Sequence, residues 1–151
     1  MLKALRRVAA FCLCISLSLG LGLITPANVN AADLKPADLA VIRRQAAAYE
    51  ATKARLPELA RLVSAEDWTF TRNLIHGPMQ EVGREMLYIN QRLDRSQRKD
   101  ADKIARNLKE ALADLDEAAR LQDSSRLQRS YSAVAAGFDA YSDVIPAEAL
   151  S

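Results

Sequence analysis

The chain has 151 residues, half of them apolar, with 21 Lys+Arg, 19 Asp+Glu, one histidine and two cysteines. That length suits one domain with a buried core, and the near balance of charge excludes a global field that would draw the chain to nucleic acid. Gly and Pro number only five each, and β-branched residues are few, which favours helix over strand.

The first segment reads as a leader. Lys3, Arg6 and Arg7 precede an apolar run, Val8 to Ile24, broken only by Ser16 and Ser18. Pro26 follows, and Val29-Asn30-Ala31 places small residues at the positions a signal peptidase reads. This order predicts a secretory signal peptide over residues 1–31, cleaved before Ala32. The competing reading is a membrane anchor, for which 17 residues is the short limit. Arg6-Arg7 lacks the polar residue that precedes a twin-arginine signal. Cys12 and Cys14 follow Phe11 and Leu13, where a lipobox wants a small residue. Cleavage removes three cations and leaves 18 basic and 19 acidic side chains, a formal net charge of −1. Both cysteines leave with the leader, so residues 32–151 hold no thiol chemistry.

Residues 32–37 read as a short tail and 38–151 as the folded domain. Leu39, Ile42, Ala46, Tyr49, Leu56, Leu59 and Val63 fall on one helical face, with Pro57 expected to kink or restart that helix. Ser64 to Asp67 fits a capping box opening a second helix. Its stripe is Trp68, Ile75, Met79, Val82, Met86, Ile89 and Leu93, with Gly77-Pro78 inside it as a kink or local break. Asp94 to Asp100, polar and charged, reads as a loop. A third helix carries Ala101, Ile104, Ala105, Leu108, Ala111, Leu112, Leu115, Ala118 and Ala119. Gln122 to Ser125 forms the next turn, with Asp123 or Ser124 as N-cap. The fourth helix shows Leu127, Tyr131, Val134, Phe138, Tyr141 and Ile145, and Pro146 ends it. No strand pattern occurs. Four amphipathic helices on short connections predict an all-α, up-down-up-down four-helix bundle.

The residues that chemistry needs are scarce. His76 is the single histidine. There is no Gly-x-Ser-x-Gly elbow, no Glu-x-x-His pair for a di-iron bundle and no Cys-x-x-Cys-His for covalent haem. His76 with Met79 or Met86 is a conceivable haem pair, but methionines on a core stripe read as packing. Glu81 lies too far round the helix to share a metal with His76. Asp114, Asp116 and Glu117 read as the solvated outer face of the third helix. Arg92, Arg95, Arg98, Lys99, Lys103 and Arg106 form a basic run, either a solvated face or a docking patch for an acidic partner. No enzyme, no cofactor and no nucleic-acid partner is expected.

One segment is not explained by packing alone: Asp67 to Pro78, followed by Arg84. It holds the only Trp and the only His, and sets Arg72 and His76 at i, i+4 beside a Gly-Pro break. Either it is a recognition surface, or Trp68 is core and Gly77-Pro78 bends the helix.

Trp68, Arg72, Asn73, Ile75, His76, Gly77, Pro78, Arg84 and Met86 together resemble the motif of the PsbQ family in its cyanobacterial form. Phe138 to Tyr141 and Ile145-Pro146 resemble the family's ending. The resemblance implies an extrinsic, non-catalytic subunit of photosystem II in the thylakoid lumen. It would stabilise the oxygen-evolving complex and its calcium and chloride requirement. The implied partners are lumenal loops of the inner-antenna chlorophyll protein and the manganese-stabilising subunit. Many members carry a lipobox cysteine where this sequence has Ala31-Ala32, so protein contacts are expected to hold it to the membrane. The resemblance makes Trp68, Arg72, Asn73, His76, Gly77, Pro78 and Arg84 partner-binding or shape-setting. Arg92, Arg95, Arg98 and Lys99 are the second candidate patch. The rival from another class is a periplasmic helical-bundle protein that binds haem or metal.

Overall fold

The computed structural model describes residues 34–150. The expected signal peptide, its cleavage site, Cys12 and Cys14 lie outside them. Among the described residues the chain is all-helical, with six α-helices and a 3-10 turn: α1 (Pro36–Lys53), α2 (Leu56–Ser64), α3 (Trp68–His76), α4 (Val82–Asn90), α5 (Arg95–Leu121), α6 (Ser124–Ser142) and Ala147–Ala149. Six arise where four were expected because two expected helices are each divided.

The first division falls at Ala54-Arg55. Pro57 then occupies the first turn of α2, where a helix has backbone donors to spare, so it restarts the helix rather than kinking it. The second falls at Gly77 to Glu81, where the Gly77 amide donates back to the Asn73 carbonyl at 2.9 Å. At the other end, α1 starts at Pro36, inside the stretch read as tail.

At the C-terminal end, α6 stops at Ser142, before Ile145, and Pro146 opens the 3-10 turn instead of ending the helix. Two internal boundaries also differ from the sequence reading. Ser64 is the last residue of α2 and not a cap. Glu66 takes a left-handed φ of 52°, Asp67 N donates to Leu62 O, and Glu66 N donates to Val63 O. That closure moves the start of the next helix to Asp67, whose carboxylate accepts from Phe70 N at 3.2 Å. The end of α5 repeats the device with Gln122 at φ 56° and Asp123 accepting from Arg126 N at 2.9 Å. Asp123 is thus the N-cap of α6. The second difference is Asp94 to Asp100, which is not a loop. Asp94 caps α5 by accepting from Ser96 N at 2.7 Å and Gln97 N at 3.1 Å. The polar residues after it are the first turns of a helix that starts before its apolar stripe begins.

The stripes meet in one core. α5 packs along α6, α1 along α4, and α3 and α4 both lean on α5. α6 approaches α5 closely at Gly137, where a Cβ would stand 3.0 Å from Leu108 Cδ1 and 3.3 Å from Leu108 Cα. The rings of Tyr49, Phe138 and Tyr141 cluster between α1 and α6, with centroids 5.6 Å apart for Tyr49–Phe138 and 5.1 Å for Tyr49–Tyr141. Their polar ends are satisfied, as burial requires. Tyr49 donates to Phe138 O at 2.6 Å, and Tyr141 reaches Met86 O at 2.9 Å and Asn90 Oδ1 at 2.7 Å. Asn90 in turn donates to Asp102 at 2.8 Å, so one network ties α6 to α4 and α4 to α5.

Thr71 Oγ1 is the buried polar atom without a partner among the described residues, and Glu85 is the buried acid of this core. It is 7% exposed, and the Thr52 hydroxyl that faces it at 3.4 Å also faces Ala48 O at 3.2 Å. Its single proton is shared between them. Burial pushes the Glu85 carboxyl above its ordinary pKa, with the Thr52 bond opposing, Glu81 adding and Arg84 subtracting. A carboxyl raised in the folded state holds its proton more tightly there than in the unfolded chain. Its contribution is therefore fully present below the unfolded pKa and lost as pH rises through the folded one. Glu85→Gln, which does not titrate, is expected to stabilise the fold at pH 7 by on the order of 1 kcal/mol. The gain should shrink toward zero at pH 4. Urea unfolding at both pH values checks this, and an equal gain at both would remove the ionisation account.

Candidate docking site on the third helix

α3 is nine residues long, too short to persist alone. Its buried side is Thr71, Leu74 and Ile75, and its two ends are fixed by the Asp67 cap and the Gly77 break. Thr69, Phe70, Asn73 and His76 are left exposed. Arg72 and His76, one turn apart, reach across to α5 and share a single oxygen. Arg72 Nε lies 3.0 Å and His76 Nε2 2.8 Å from Asp116 Oδ1. The Asp116 side chain is 21% exposed, against 61% for His76. Asp116, expected on a solvated face, is therefore the anchor that holds the outer edge of α3 to α5. Its neighbours have separate roles: Asp114 pairs with Arg126 at 3.0 Å, and Glu117 binds Arg120 through two bonds. The sequence carries no local sign of the Asp116 contact, because its partners lie 44 and 40 residues away.

Two concavities flank α3. Between α3 and α5 is a cleft of about 310 Å³ walled by Trp68, Arg72, Asn73, His76, Ala119 and Arg120. Trp68 also packs against the core, as one of the two readings of the sequence has it. Between α2 and α3 is a groove of about 360 Å³, with Leu62 and Leu74 behind and Phe70, Pro78 and Arg61 among its walls. Asn73 lines both.

The structure thus brings Trp68, Arg72, Asn73 and His76 together at one cleft. Gly77 and Pro78 end the helix beneath them, and a Cβ at Gly77 would stand 2.8 Å from Asn73 O. Arg84 is separate, paired with Glu81 at the N-cap of α4. The second candidate patch is dispersed. Arg92 lies 3.6 Å from Asp38. Arg98 donates to Asn90 O at 2.9 Å, Gln91 O at 2.8 Å and Leu93 O at 3.0 Å, closing the end of α4. Arg95 and Lys99 are exposed and make no ion pair among the described residues. With Lys103 and Arg106 they form one outward row on α5. That row begins at the positive end of the helix dipole, where cations are unfavourable.

Among the described residues no group of three or more His, Cys, Asp or Glu gathers to hold a metal. Met79 and Met86 are buried in the core, whereas His76 stands at the surface against Asp116. No described helix is long and apolar enough to cross a membrane.

The profile of the PsbQ family, oxygen evolving enhancer protein 3, matches residues 24–146. The chain is also similar to CyanoQ of Synechocystis sp., with 28% identity over 88 residues. That stretch covers 58% of this chain and 59% of the relative, less than two thirds of its length.

Proposed function

Because the chain belongs to the PsbQ family, we propose that it is a non-catalytic extrinsic subunit of photosystem II. It is exported by cleavage of residues 1–31 and works on the lumenal side of the thylakoid membrane. There it stabilises the oxygen-evolving complex and its calcium and chloride requirement. Its partners are lumenal loops of the inner-antenna chlorophyll protein and the manganese-stabilising subunit, and protein contacts hold it at the membrane. In this reading α1–α2 and α3–α4 are two bent arms that complete an up-down-up-down four-helix bundle with α5 and α6. The observation that carries the proposal is the family match over residues 24–146. The surface chemistry agrees with it. The motif residues form a docking edge, and the row Arg95, Lys99, Lys103 and Arg106 attracts an acidic surface.

The test is a pull-down from host thylakoid membranes with a C-terminally tagged copy, washed at low and high salt. Photosystem II core subunits are expected at low salt and lost at high salt. The screening length falls from about 10 Å at 0.1 M to about 3 Å at 1 M. Recovery of the protein alone at both salts, with a Soret band or stoichiometric metal, would sink the assignment and favour a periplasmic haem- or metal-binding protein.

A further inference from the structure

We propose, resting on the reading above, that α3 is a ridge straddled by a loop of a partner protein. The loop sets a carboxylate in the α3–α5 cleft and an apolar side chain against Phe70 in the α2–α3 groove. Three observations carry this. Phe70 is 61% exposed, the most exposed large apolar side chain among the described residues. It stands on the wall of a groove with apolar residues behind it, the composition of an interface anchor. The charged side chains that wall the neighbouring cleft are Arg72, His76 and Arg120; Arg120 is held by both oxygens of Glu117, and Asp116 meets Arg72 and His76 with one oxygen. Asp116 engages Arg72 through Nε alone, which leaves the other guanidinium donors for an incoming carboxylate. Asn73, shared by both concavities, makes no side-chain hydrogen bond among the described residues, so a polar backbone crossing the ridge has an amide to meet there.

The complementarity selects an acidic protein loop. A bilayer would need an apolar face broad enough to enter it, and the apolar faces of α2 and α3 are turned into the core, leaving Phe70 alone. The ridge is also distinct from the basic row on α5. That row attracts at a distance and is screened by salt, whereas the ridge reads shape and hydrogen bonds at contact.

The experiment is rebinding of the purified protein to photosystem II membranes that have been salt-washed to remove the endogenous subunit. Wild type is compared with Phe70→Ser, Asn73→Glu and the conservative Asn73→Gln, and each is checked by circular dichroism and thermal melting. Phe70→Ser and Asn73→Glu are expected to weaken rebinding at low salt by about tenfold or more, with melting unchanged. Asn73→Gln should rebind nearly as wild type. If wild type rebinds and both ridge variants rebind equally well, the ridge is overturned and the family reading stands. If wild type itself fails to rebind, both fall together.

Discussion

Arg98→Ala is expected to lower the free energy of unfolding by about 2 kcal/mol while leaving any attraction to an acidic partner largely intact. In the sequence Arg98 belongs to a run of cations and reads as part of a docking patch. In the structure its guanidinium is committed to three carbonyls, those of Asn90, Gln91 and Leu93. These belong to the end of α4 and the turn into α5, where helical carbonyls lack intrahelical donors. A cation there also meets the negative end of the α4 dipole. Removing it leaves three acceptors to find water at a turn whose other side is closed by buried Leu93. Lysine retains the charge but not the planar fork that spans several acceptors, so Arg98→Lys should recover only part of the loss. Urea denaturation of the three proteins decides the matter. Unchanged stability with weakened docking would return Arg98 to the partner surface.

Gly77→Ala is expected to cost roughly 2 kcal/mol, and its companion Gly83→Ala to cost nothing. The contrast lies in what a new methyl group meets. At Gly77 it stands 2.8 Å from Asn73 O, a backbone atom of the last turn of α3, so that turn must open or the chain must leave along another path. Either movement displaces His76 from Asp116 and Asn73 from the crest of the ridge. At Gly83 the nearest atom is Lys109 Cδ at 3.5 Å, ordinary contact with a flexible chain. Alanine there should stabilise α4 by on the order of 0.5 kcal/mol, because it restricts the unfolded backbone. Thermal melting of the pair is the measurement. Equal behaviour of the two variants would mean that Gly77 does not set the break.

The apolar periodicity carried most of the fold. Ile75, Met79, Val82, Met86, Ile89 and Leu93 are all buried, although the helix that bears them is interrupted after His76. Spacing records which side faces inward and survives a break that keeps the register. The turn before α6 was also legible, because Gln122 to Ser125 separates two clear stripes, and of its two candidate caps, Asp123 and Ser124, the cap is Asp123. Ser64 was misread because the turn rests on Glu66 in a left-handed conformation, and no glycine marks it. The same αL–Asp pairing closes α5, so Asp67 standing before an aromatic run was the cue available. Asp94 to Asp100 was misread because polarity reports exposure, and the first turns of α5 are exposed and helical at once. Asp94, whose carboxylate accepts the amides of Ser96 and Gln97, is itself an N-cap residue type and was the signal there. For the candidate site, Arg72 and His76 were found as a pair and Asp116 was not, since an ion pair between distant helices leaves no local pattern.

The position of the lone tryptophan gives the molecule an optical reporter without any label. Trp68 walls the α3–α5 cleft, while the tyrosines nearest the core centre, Tyr49 and Tyr141, sit between α1 and α6. Excitation at the red edge of the indole band therefore samples the edge of α3 and ignores the phenols of the interior. A loop that displaces water from that cleft alters the polarity beside the indole, and so the wavelength at which it emits. The residue that begins α3 thus lets the arrival of a tryptophan-free partner segment be followed in real time.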